Sequence, residues 1–307
     1  MDLAIGIDVG GTRIKFGLVT KKGEVKTTGS VRTNADEGPV GLRDGLELVV
    51  RELKRRAHWK GWKIVAAGMG IPGTVTGRRG TMIMTPPQIQ GLHGWETGTC
   101  LRQLSGVRTA VDNDATVAGL AEARIGAGHG APTTILVTVG TGLGGALVVG
   151  GKLVRGRFGT GGEIGHSVFV PDGLPCGHGG RGCLELYTSA TALVRIYREL
   201  GGLDADDPKA IVTKARTGHR KATRALQQIG KNLGLGLSAQ ASVVAPDLIV
   251  VGGGLSAAGR LLLDPARQAF KEQSLDYVSK GCRWVKARLG NRAGLIGAGL
   301  LAFEEGL

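Results

Sequence analysis

Apolar runs broken by glycine turns alternate along the chain with stretches in which apolar residues recur at helical spacing. Residues 4–7 and 16–19 are apolar on either side of a glycine turn, which predicts a β-hairpin. Residues 135–137 and 145–149 flank a second turn of the same kind, 130 positions further on (residue 138 against residue 8). One hairpin repeated in each half of the chain predicts two related α/β lobes that face a cleft.

The same periodicity predicts the remaining elements. Short apolar runs predict strands at 64–69, 107–111 and 248–251. Apolar residues three and four positions apart predict helices around 42–53, at 115–125, 186–200, 209–216, 222–244 and 256–273, and a last helix with an apolar stripe at Ile296, Leu300 and Phe303. We predict a small lobe of residues 1–115 with 294–307, and a large lobe of residues 116–293.

Composition narrows the possible function classes. Glycine makes up 55 of 307 residues without a collagen-like period, and 42% of the chain is hydrophobic, so we expect the glycines at turns and close backbone approaches to a ligand. Aromatic residues are only 4%, which argues against a base-stacking nucleic-acid platform. The sequence shows no apolar run of the roughly 18 residues that span a membrane, and no signal peptide. We therefore expect a soluble cytoplasmic protein.

The net charge and the number of cysteines bear on the possible ligands and on the possibility of a disulfide scaffold. The net charge is +14, from 39 Lys and Arg against 25 Asp and Glu. The basic residues interleave with the predicted helices, which favours solvated helix faces, with an anionic ligand as the alternative. Four cysteines are too few for a disulfide scaffold in a chain of this length.

Two of the predicted turns have the chemistry of a phosphate site. Asp8 precedes Gly10-Gly11-Thr12 at the tip of the first hairpin, where backbone N–H groups could bind phosphate oxygens. The Asp8 carboxylate could bind Mg²⁺ through water, because Mg²⁺ prefers oxygen ligands and keeps several of its waters. A tight hairpin without a ligand would explain either turn alone. The second copy, Gly140-Thr141-Gly142, favours a pair of turns that bracket a polyphosphate.

Two further motifs fit either a functional site or a structural role. Gly252-Gly253-Gly254 follows a predicted strand and precedes a helix, as nucleotide-binding turns do, but helix–strand packing would need the same glycines. The dinucleotide pattern G-x-G-x-x-G is not present there.

Asp112-Asn113-Asp114 lies between a strand and a helix, where Asp114 could be only the N-cap. Alternatively, one of the two carboxylates is a general base and Asn113 orients the substrate. The spacing alone does not decide which of Asp112 and Asp114 is the base. The position of Asp114 at the carboxyl end of the strand favours Asp114.

The most specific pattern is a set of metal-ligand residues in a glycine-rich loop over 166–183: His166, Cys176, His178 and Cys183. Two cysteines and two histidines suit a tetrahedral structural zinc ion, and the alternative is two buried thiols beside two exposed imidazoles. A loop with so many glycines would otherwise lack a reason to be ordered, which favours zinc. Glu163 and Glu185 lie beside the set, so zinc would fix two carboxylates that could accept hydrogen bonds from a polyol.

Together these residues resemble the ROK family of sugar kinases, within the actin-like ATPase fold, over essentially the whole chain. The resemblance rests on five motifs in order: Asp8-Val9-Gly10-Gly11-Thr12, Asp112-Asn113-Asp114, Gly140-Thr141-Gly142-Leu143-Gly144-Gly145, Gly162-Glu163-Ile164-Gly165-His166, and residues 176–185. It implies a two-lobed, ribonuclease H-like α/β fold with a cleft between lobes. It also implies ATP-dependent phosphorylation of a hexose at its 6-hydroxyl, with glucose as the expected substrate, Mg²⁺ and structural zinc as cofactors, and a homodimer or homotetramer.

The resemblance also implies residue roles. Asp114 corresponds to the catalytic base. The implied sugar ligands are Gly73, Asn113, Asp114, Glu163, His166 and Glu185. The implied nucleotide ligands are Asp8, Gly10, Gly11, Thr12, Thr138, Gly140, Thr141, Gly142, Gly253 and Gly254. The implied zinc ligands are His166, Cys176, His178 and Cys183, so His166 would serve both zinc and sugar.

Two positions depart from the family pattern. His178 stands where the family has a second cysteine, which makes the zinc shell less anionic. Gln88 stands where asparagine is frequent, so the exact sugar stays open: N-acetylglucosamine, N-acetylmannosamine and mannose are alternatives, with polyphosphate as an alternative donor. A sugar-responsive DNA-binding regulator would need a helix-turn-helix before the first strand, so nucleic-acid binding is not expected. An inactive, zinc-containing sugar binder would not need Asp114 and both glycine hairpins.

Overall fold

The computed structural model describes residues 1–77, 79–85 and 89–305. The strands are β1 (Asp2–Val9), β2 (Arg13–Val19), β3 (Val25–Arg32), β4 (Lys63–Ile71), β5 (Thr74–Thr76), β6 (Thr81–Met84), β7 (Arg108–Asn113), β8 (Thr133–Val139), β9 (Leu143–Val149), β10 (Lys152–Leu153), β11 (Leu248–Gly252) and β12 (Arg283–Lys286). The α-helices are α1 (Gly38–Trp59), α2 (Thr97–Ser105), α3 (Asp114–Ile125), α4 (Glu185–Thr188), α5 (Ala190–Glu199), α6 (Pro208–Arg216), α7 (Arg220–Val244), α8 (Arg260–Gln273), α9 (Asp276–Gly281) and α10 (Ala293–Glu305).

The chain divides into two compact units. The first contains Met1–His129, Lys152–Gly162 and the residues from Leu289, and the second contains Gly130–Gly151 and Glu163–Arg288. The first unit thus keeps the whole of α3, whereas the division predicted from the sequence falls within the first turn of this helix. That predicted division, at 115 and 294, stays a prediction. Among the described residues, no helix is both long and apolar enough to cross a lipid bilayer.

The sheet of the first unit has the order β3-β2-β1-β4-β7. The predicted hairpin is formed by β1 and β2, which are antiparallel, and β4 and β7 continue the sheet in parallel with β1. One face is apolar, because alternate residues of β1 such as Leu3, Ile5 and Ile7 pack with Leu42 and Leu46 of α1. The other face receives α3 and α10.

Glycines determine how α10 approaches that second face. Gly17, Gly6 and Gly68 lie side by side on β2, β1 and β4. A Cβ atom on Gly6 would come within 2.0 Å of the carbonyl oxygen of Leu295, and one on Gly68 within 1.8 Å of that of Ala298. The α10 backbone therefore rests directly on β1 and β4, with no side chain between them, and the Leu295 side chain lies against Gly17 of β2.

A buried carboxylate connects the end of α3 to the start of the C-terminal segment. Glu122 is 1% exposed. Its two oxygens accept backbone N–H groups of Ala127 and Leu289, each at 2.7 Å. Ala127 lies just before the chain enters the second unit, and Leu289 is where it returns to the first. The charge is therefore satisfied by backbone donors from two distant segments.

The second unit repeats the arrangement with its own residues. β8 and β9 form the second predicted hairpin, and β11 and β12 lie parallel to β8 in the order β9-β8-β11-β12. Its helices α7 and α8 also pack through glycines: a Cβ atom on Gly230 would lie 2.3 Å from the carbonyl oxygen of Leu262. The same holds for Gly234 and the carbonyl oxygen of Ala266, at 2.1 Å.

Two predicted helices are broken in the structure. The helix expected over 186–200 is α4 followed by α5, because Ser189 is extended and its hydroxyl caps α5 by accepting the N–H of Ala192 at 3.2 Å. The helix expected over 256–273 is a 3₁₀ turn over Gly254–Ala258 and then α8, since Gly259 has a φ of 60°. The strand β3 was not predicted from the sequence. Its exposed and half-buried residues alternate along the edge of the sheet. Gln88 lies outside the described residues.

The contact between α10 and α3 gives a test of this packing. Exchanging glycine for alanine within a helix ordinarily stabilises it by about 1 kcal/mol. At Gly297 we expect the opposite, because the new Cβ would lie 1.7 Å from the carbonyl oxygen of Val117. Overpacking of this kind costs roughly 1–3 kcal/mol, so Gly297→Ala should lower Tm by roughly 2–5 °C in calorimetry.

The matched control is Gly281→Ala at the end of α9. A Cβ atom there meets nothing within 4 Å, so its Tm should stay near that of the unchanged protein. If both variants melt at the same temperature, the close approach of α10 to α3 is wrong.

Candidate functional site

The first glycine turn presents backbone donors at the end of β1. The turn is closed by the Gly10 N–H, which donates to the carbonyl of Arg13 at 3.0 Å. Thr33 holds it from the side, because its hydroxyl donates to the carbonyl of Gly10 at 2.6 Å and its N–H to that of Thr12 at 3.1 Å. Within the described chain the N–H groups of Gly11 and Thr12 have no protein acceptor. Two adjacent free donors in a fixed turn suit an anion.

Asp8 lies just below this turn in a charged row of the sheet. The strand register places Lys15, Asp8, Gly70 and Asp112 side by side on β2, β1, β4 and β7. Lys15 Nζ lies 3.4 Å from Asp8 Oδ2. Burial raises the pKa of Asp8, and the charge of Lys15 partly opposes this shift. Gly294, in the first turn of α10, lies against the Asp8 carboxyl group.

The three residues of the Asp112-Asn113-Asp114 motif have different positions: Asp112 is in β7, Asn113 ends β7 and caps α3, and Asp114 begins α3. The N-cap of α3 is Asn113, whose side-chain oxygen accepts the N–H groups of Ala115 at 2.8 Å and Thr116 at 3.2 Å. The alternative in which Asp114 is the N-cap is therefore wrong. Asp114 is the first residue of α3 and lies beside Gly70, where a Cβ would come within 3.3 Å of the Asp114 Cα. The Asn113 amide also donates to the carbonyl of Gly73 at 2.9 Å, which brings two predicted sugar ligands together.

The two carboxylates of this motif have different surroundings. Asp112 is 1% exposed, and its Oδ1 accepts the N–H of Asn113 at 2.7 Å. Its Oδ2 forms an ion pair with Arg155 Nε at 2.9 Å. Asp114 is half-buried at the N-terminus of α3, and its Oδ1 accepts the N–H of Ala115 at 2.8 Å. The structure thus separates two residues that the spacing alone left equivalent.

A polar cavity opens beside the first turn. Its volume is about 910 Å³, and its lining consists of Gly11, Thr12, Arg13, Arg32, Asn34, Ala35, Asp36, Glu37 and Gln90. Arg13 and Arg32 are direct cross-strand neighbours on β2 and β3. Arg13 donates to the Ser30 hydroxyl, at 3.0 Å from its Nε, and does not pair with an acidic side chain among the described residues. Two like charges placed opposite each other are unfavourable without an anion.

The second glycine turn repeats the features of the first. The Gly140 N–H closes the turn onto the carbonyl of Gly142 at 3.0 Å. Helix α5 holds this turn, because the Ala190 N–H donates to the carbonyl of Gly140 at 2.8 Å and the Thr191 hydroxyl to that of Thr141 at 2.9 Å. In the part of the chain that the structure covers, the N–H groups of Thr141 and Gly142 again have no protein acceptor. Both predicted phosphate turns therefore present two adjacent donors.

The four predicted metal ligands come together in the second unit. One ligand atom from each of His166, Cys176, His178 and Cys183 lies within 4.8 Å of all the others. The Cys176 Sγ–His166 Nδ1 distance is 3.6 Å, and the His178 Nε2–Cys183 Sγ distance is 3.0 Å. Bonds of about 2.0–2.3 Å to tetrahedral zinc would separate such atoms by about 3.3–3.8 Å. The donor set and its spacing fit zinc.

The Cys183 thiol of the cluster holds its proton strongly. Burial, followed by the neighbouring Cys176 thiol, raises the pKa of Cys183 to about 12. A metal ion would displace the proton of such a thiol on binding. The N–H of Gly180 lies 3.3 Å from His178 Nδ1, so Nε2 of this ring faces the cluster.

Glu185 connects the metal-ligand cluster to the second turn. Its Oε1 lies 3.5 Å from Cys176 Sγ and 3.8 Å from His166 Nδ1. Its Oε2 accepts the Leu143 N–H at 3.4 Å and would lie 2.7 Å from a Cβ on Gly142. Glu163, the other predicted carboxylate, is linked to His166 through the backbone, because the His166 N–H donates to its carbonyl at 3.1 Å.

The third glycine motif has a packing role at one position. Gly253 has a φ of 80°, and a Cβ there would lie 2.5 Å from the backbone nitrogen of Val139. Gly254 has open space around it. Thr138, another predicted nucleotide ligand, is paired with Gly252 across β8 and β11. Gly253 thus has a packing role, and both Gly253 and Gly254 stay predicted nucleotide ligands.

Two of the functional features were not predicted from the sequence. Lys15 could have been found from the hairpin itself, since a two-residue alternation from the glycine turn places it opposite Asp8. Arg155 had no sequence signal, because it lies far from Asp112 along the chain and outside any helix or strand.

Comparison with known proteins identifies the family. The model of the ROK family matches residues 4–305. The chain belongs to the ROK family. A glucokinase of Streptomyces coelicolor is 36% identical over 329 aligned positions, which cover 99% of this chain and 98% of that protein. An N-acetylmannosamine kinase of Escherichia coli is 30% identical over 305 positions, with 99% of both chains covered.

A solved structure agrees with this assignment. The crystal structure of a ROK family glucokinase from Streptomyces griseus in complex with glucose and AMPPNP is 35% identical. It aligns with a TM-score of 0.83 over 98% of this chain and 99% of that one. The predicted α/β actin-like ATPase fold of this ROK protein is thereby confirmed. The roles of the individual site residues stay predictions.

The metal-ligand cluster of this ROK protein can be tested directly. We expect about one zinc ion per chain after purification in zinc-containing buffer, measured by mass spectrometry of the metal. Cys183→Ser should lower this content severalfold, because a hydroxyl is a poor zinc ligand. Cys282→Ser is the matched control: Cys282 is also buried in the second unit, but lies outside the cluster, and its loss should leave the zinc content unchanged. Equal zinc content in all three proteins would contradict the site.

Proposed function

We propose that this protein is an ATP-dependent hexokinase that transfers the terminal phosphoryl group to the 6-hydroxyl of glucose. The observation that carries the proposal is the duplicated glycine turn. Each copy ends a hairpin and presents two adjacent backbone N–H groups without a protein acceptor. Such donors stabilise the negative charge that develops on a transferring phosphoryl group. Full-length similarity to two glucokinases supports the same reaction.

In this proposal Asp114 is the general base. It follows the carboxyl end of β7, where substrates of α/β proteins bind, and it lies half-buried in the first turn of α3. Asp112 is buried and ion-paired, so it is poorly suited to accept a proton from a substrate. Asp114 would accept the 6-hydroxyl proton as that oxygen attacks the phosphorus in line.

The sugar ligands are assigned by the family resemblance. They are Gly73, Asn113, Glu163, His166 and Glu185. Asn113 already uses its side-chain oxygen as the N-cap of α3 and one amide hydrogen for Gly73, so it can offer its second amide hydrogen to a hydroxyl. His166 directs Nδ1 toward the cluster, which leaves Nε2 for the sugar. Glu185 keeps both oxygens close to fixed partners, which would hold it in place for a hydroxyl donor.

Two metals fit the residues of the proposed enzyme. Mg²⁺ would be held by Asp8 through water and would neutralise charge on the donor phosphates. The Asp8 carboxyl fits such a role because it is an oxygen donor beneath the free N–H groups of the first turn, while Lys15 beside it would compete with the ion. Zinc would be held by the two cysteines and two histidines of the cluster. Its proposed role is structural, since it would fix His166 and Glu185.

A second phosphoryl donor, inorganic polyphosphate, is favoured by one observation. Arg13 and Arg32 are directly opposed at the cavity that also contains Gly11 and Thr12. A linear chain of phosphates would supply the negative charge that this pair lacks. Asp36 and Glu37 line the same cavity and oppose such binding, so ATP remains the proposed donor.

Loss of Asp114 should stop turnover without preventing sugar binding. General base catalysis contributes about 10²–10⁴-fold, so kcat of Asp114→Ala should fall by at least about 100-fold in a coupled assay. Its Kd for glucose, measured by calorimetry, should stay within about fivefold, because the other sugar ligands are retained. Asp44→Ala, an exposed aspartate on α1, is the control and should keep full activity. Turnover of Asp114→Ala equal to that of the control would refute the assignment of the base.

A panel of acceptors and donors tests the proposed substrates. We expect kcat/KM to be highest for glucose with ATP among glucose, mannose, N-acetylglucosamine and N-acetylmannosamine. Polyphosphate should be tested with each sugar in place of ATP, in nucleotide-free protein. A higher kcat/KM for an N-acetylated sugar would overturn glucose as the substrate, and a higher value with polyphosphate would overturn ATP as the donor.

A further inference from the structure

The ion pair between Arg155 and Asp112 has a role that the sequence motifs did not suggest. We propose that Arg155 is a positioning residue for phosphoryl transfer: it neutralises Asp112 and holds the 112–114 segment, so that Asp114 acts as the base. The proposal rests on the proposed function of Asp114. Arg155 itself is not placed in contact with a substrate.

The first step is that Asp112 requires a positive partner. It is 1% exposed, and its Oδ1 already accepts the N–H of Asn113. Its Oδ2 lies 2.9 Å from Arg155 Nε. An unpaired buried carboxylate is strongly unfavourable, so the fixed charge on Arg155 determines whether Asp112 can remain at this position.

The second step is that Arg155 is itself held in place. Its guanidinium also pairs with Glu305 at the end of α10. Its backbone carbonyl accepts the Gly161 N–H at 2.9 Å. The same segment is attached to β5, because the Thr76 hydroxyl donates to the carbonyl of Phe158 at 2.6 Å. Arg155 therefore has little freedom to move away from Asp112.

The third step connects Asp112 to the base. Asp112 is followed directly by Asn113, whose side chain caps α3, and then by Asp114 in the first turn of that helix. A shift of Asp112 would move the cap and the base together, because the three residues share one short backbone segment. A displacement of about 1 Å in a reacting group can cost about 100-fold in rate. Arg155 thus controls the geometry of Asp114 through Asp112.

The experiment compares Arg155→Met, Asp112→Asn and the double variant. Arg155→Met should lower kcat for glucose by roughly 100-fold, with KM for ATP changed less than about threefold, since the first glycine turn is untouched. The double variant should recover at least about tenfold in kcat over Arg155→Met, because removing the charge of Asp112 removes the reason for its displacement. Arg155→Lys should retain an intermediate kcat, because it keeps the charge without the guanidinium geometry.

The matched control is Arg157→Met, the same change of charge and size in the same segment. Arg157 lies over the ring of Phe158, at 5.5 Å from its centroid, and should keep kcat within about twofold. The proposal is overturned if Arg155→Met also stays within twofold, or if the effects of Arg155→Met and Asp112→Asn simply multiply. Equal loss of kcat in Arg157→Met would likewise overturn it, because the segment rather than the ion pair would then matter.

Thermal unfolding separates this proposal from the proposed function. In a double-mutant cycle the Tm loss of Arg155→Met should be reduced when Asp112→Asn is added, whatever the enzyme phosphorylates. An additive cycle would show that the two residues are not coupled, even in an active kinase. If the unchanged protein phosphorylates no hexose, the proposed function fails while the cycle still reports the coupling. If Arg155→Met does not fold, Arg155→Lys with and without Asp112→Asn gives the same cycle.

Discussion

The direct contact of the α10 backbone with two neighbouring strands, β1 and β4, is the constraint on which the first unit depends. Gly17, Gly6 and Gly68 form a row without side chains, and the carbonyl of Leu295 lies where a Cβ on Gly6 would be. A helix seated so closely cannot slide or rotate without a backbone collision. The first strand of the chain and its last helix are thereby fixed together. This contact also places the N-terminal turn of α10 against Asp8.

The charged row of the site follows from this glycine row by the alternation of a β-strand. Residues two positions further along each strand lie on the same face, so Lys15, Asp8 and Asp112 follow Gly17, Gly6 and Ala110. The row thus lies at the point where α10 begins, and Gly70 within it leaves room for the start of α3. The same sheet face therefore packs against α10 in one row and carries charged side chains in the next. A one-residue slip of β1 would exchange these faces and remove both.

The sequence was sufficient for the local features of the fold and of the site. Both hairpins, the ends of β4 and β7 and the metal-ligand set rest on residues close together in the chain, and the structure contains them. The helix break at Ser189 and the cap at Asn113 escaped prediction, because a serine or asparagine caps a helix only when the backbone turns at that residue. Arg155 could not be predicted at all, since its partner Asp112 is adjacent only after β7 and the 152–162 segment are both in place.

The two halves of the chain stabilise similar turns by different means. Thr33 holds the first turn through two hydrogen bonds, with α10 packed on the strands below it. The second turn is held by α5 on one side, and on the other by Glu185, whose second oxygen reaches the metal-ligand cluster. A cluster of two thiols and two imidazoles has no apolar core of its own, so a bound ion would hold its residues in place. In the first unit the contact between α10 and the glycine row serves this purpose. His178 makes this cluster less negative than one with a third cysteine. The position of Glu185 would then depend on zinc occupancy, whereas the position of Asp8 would not.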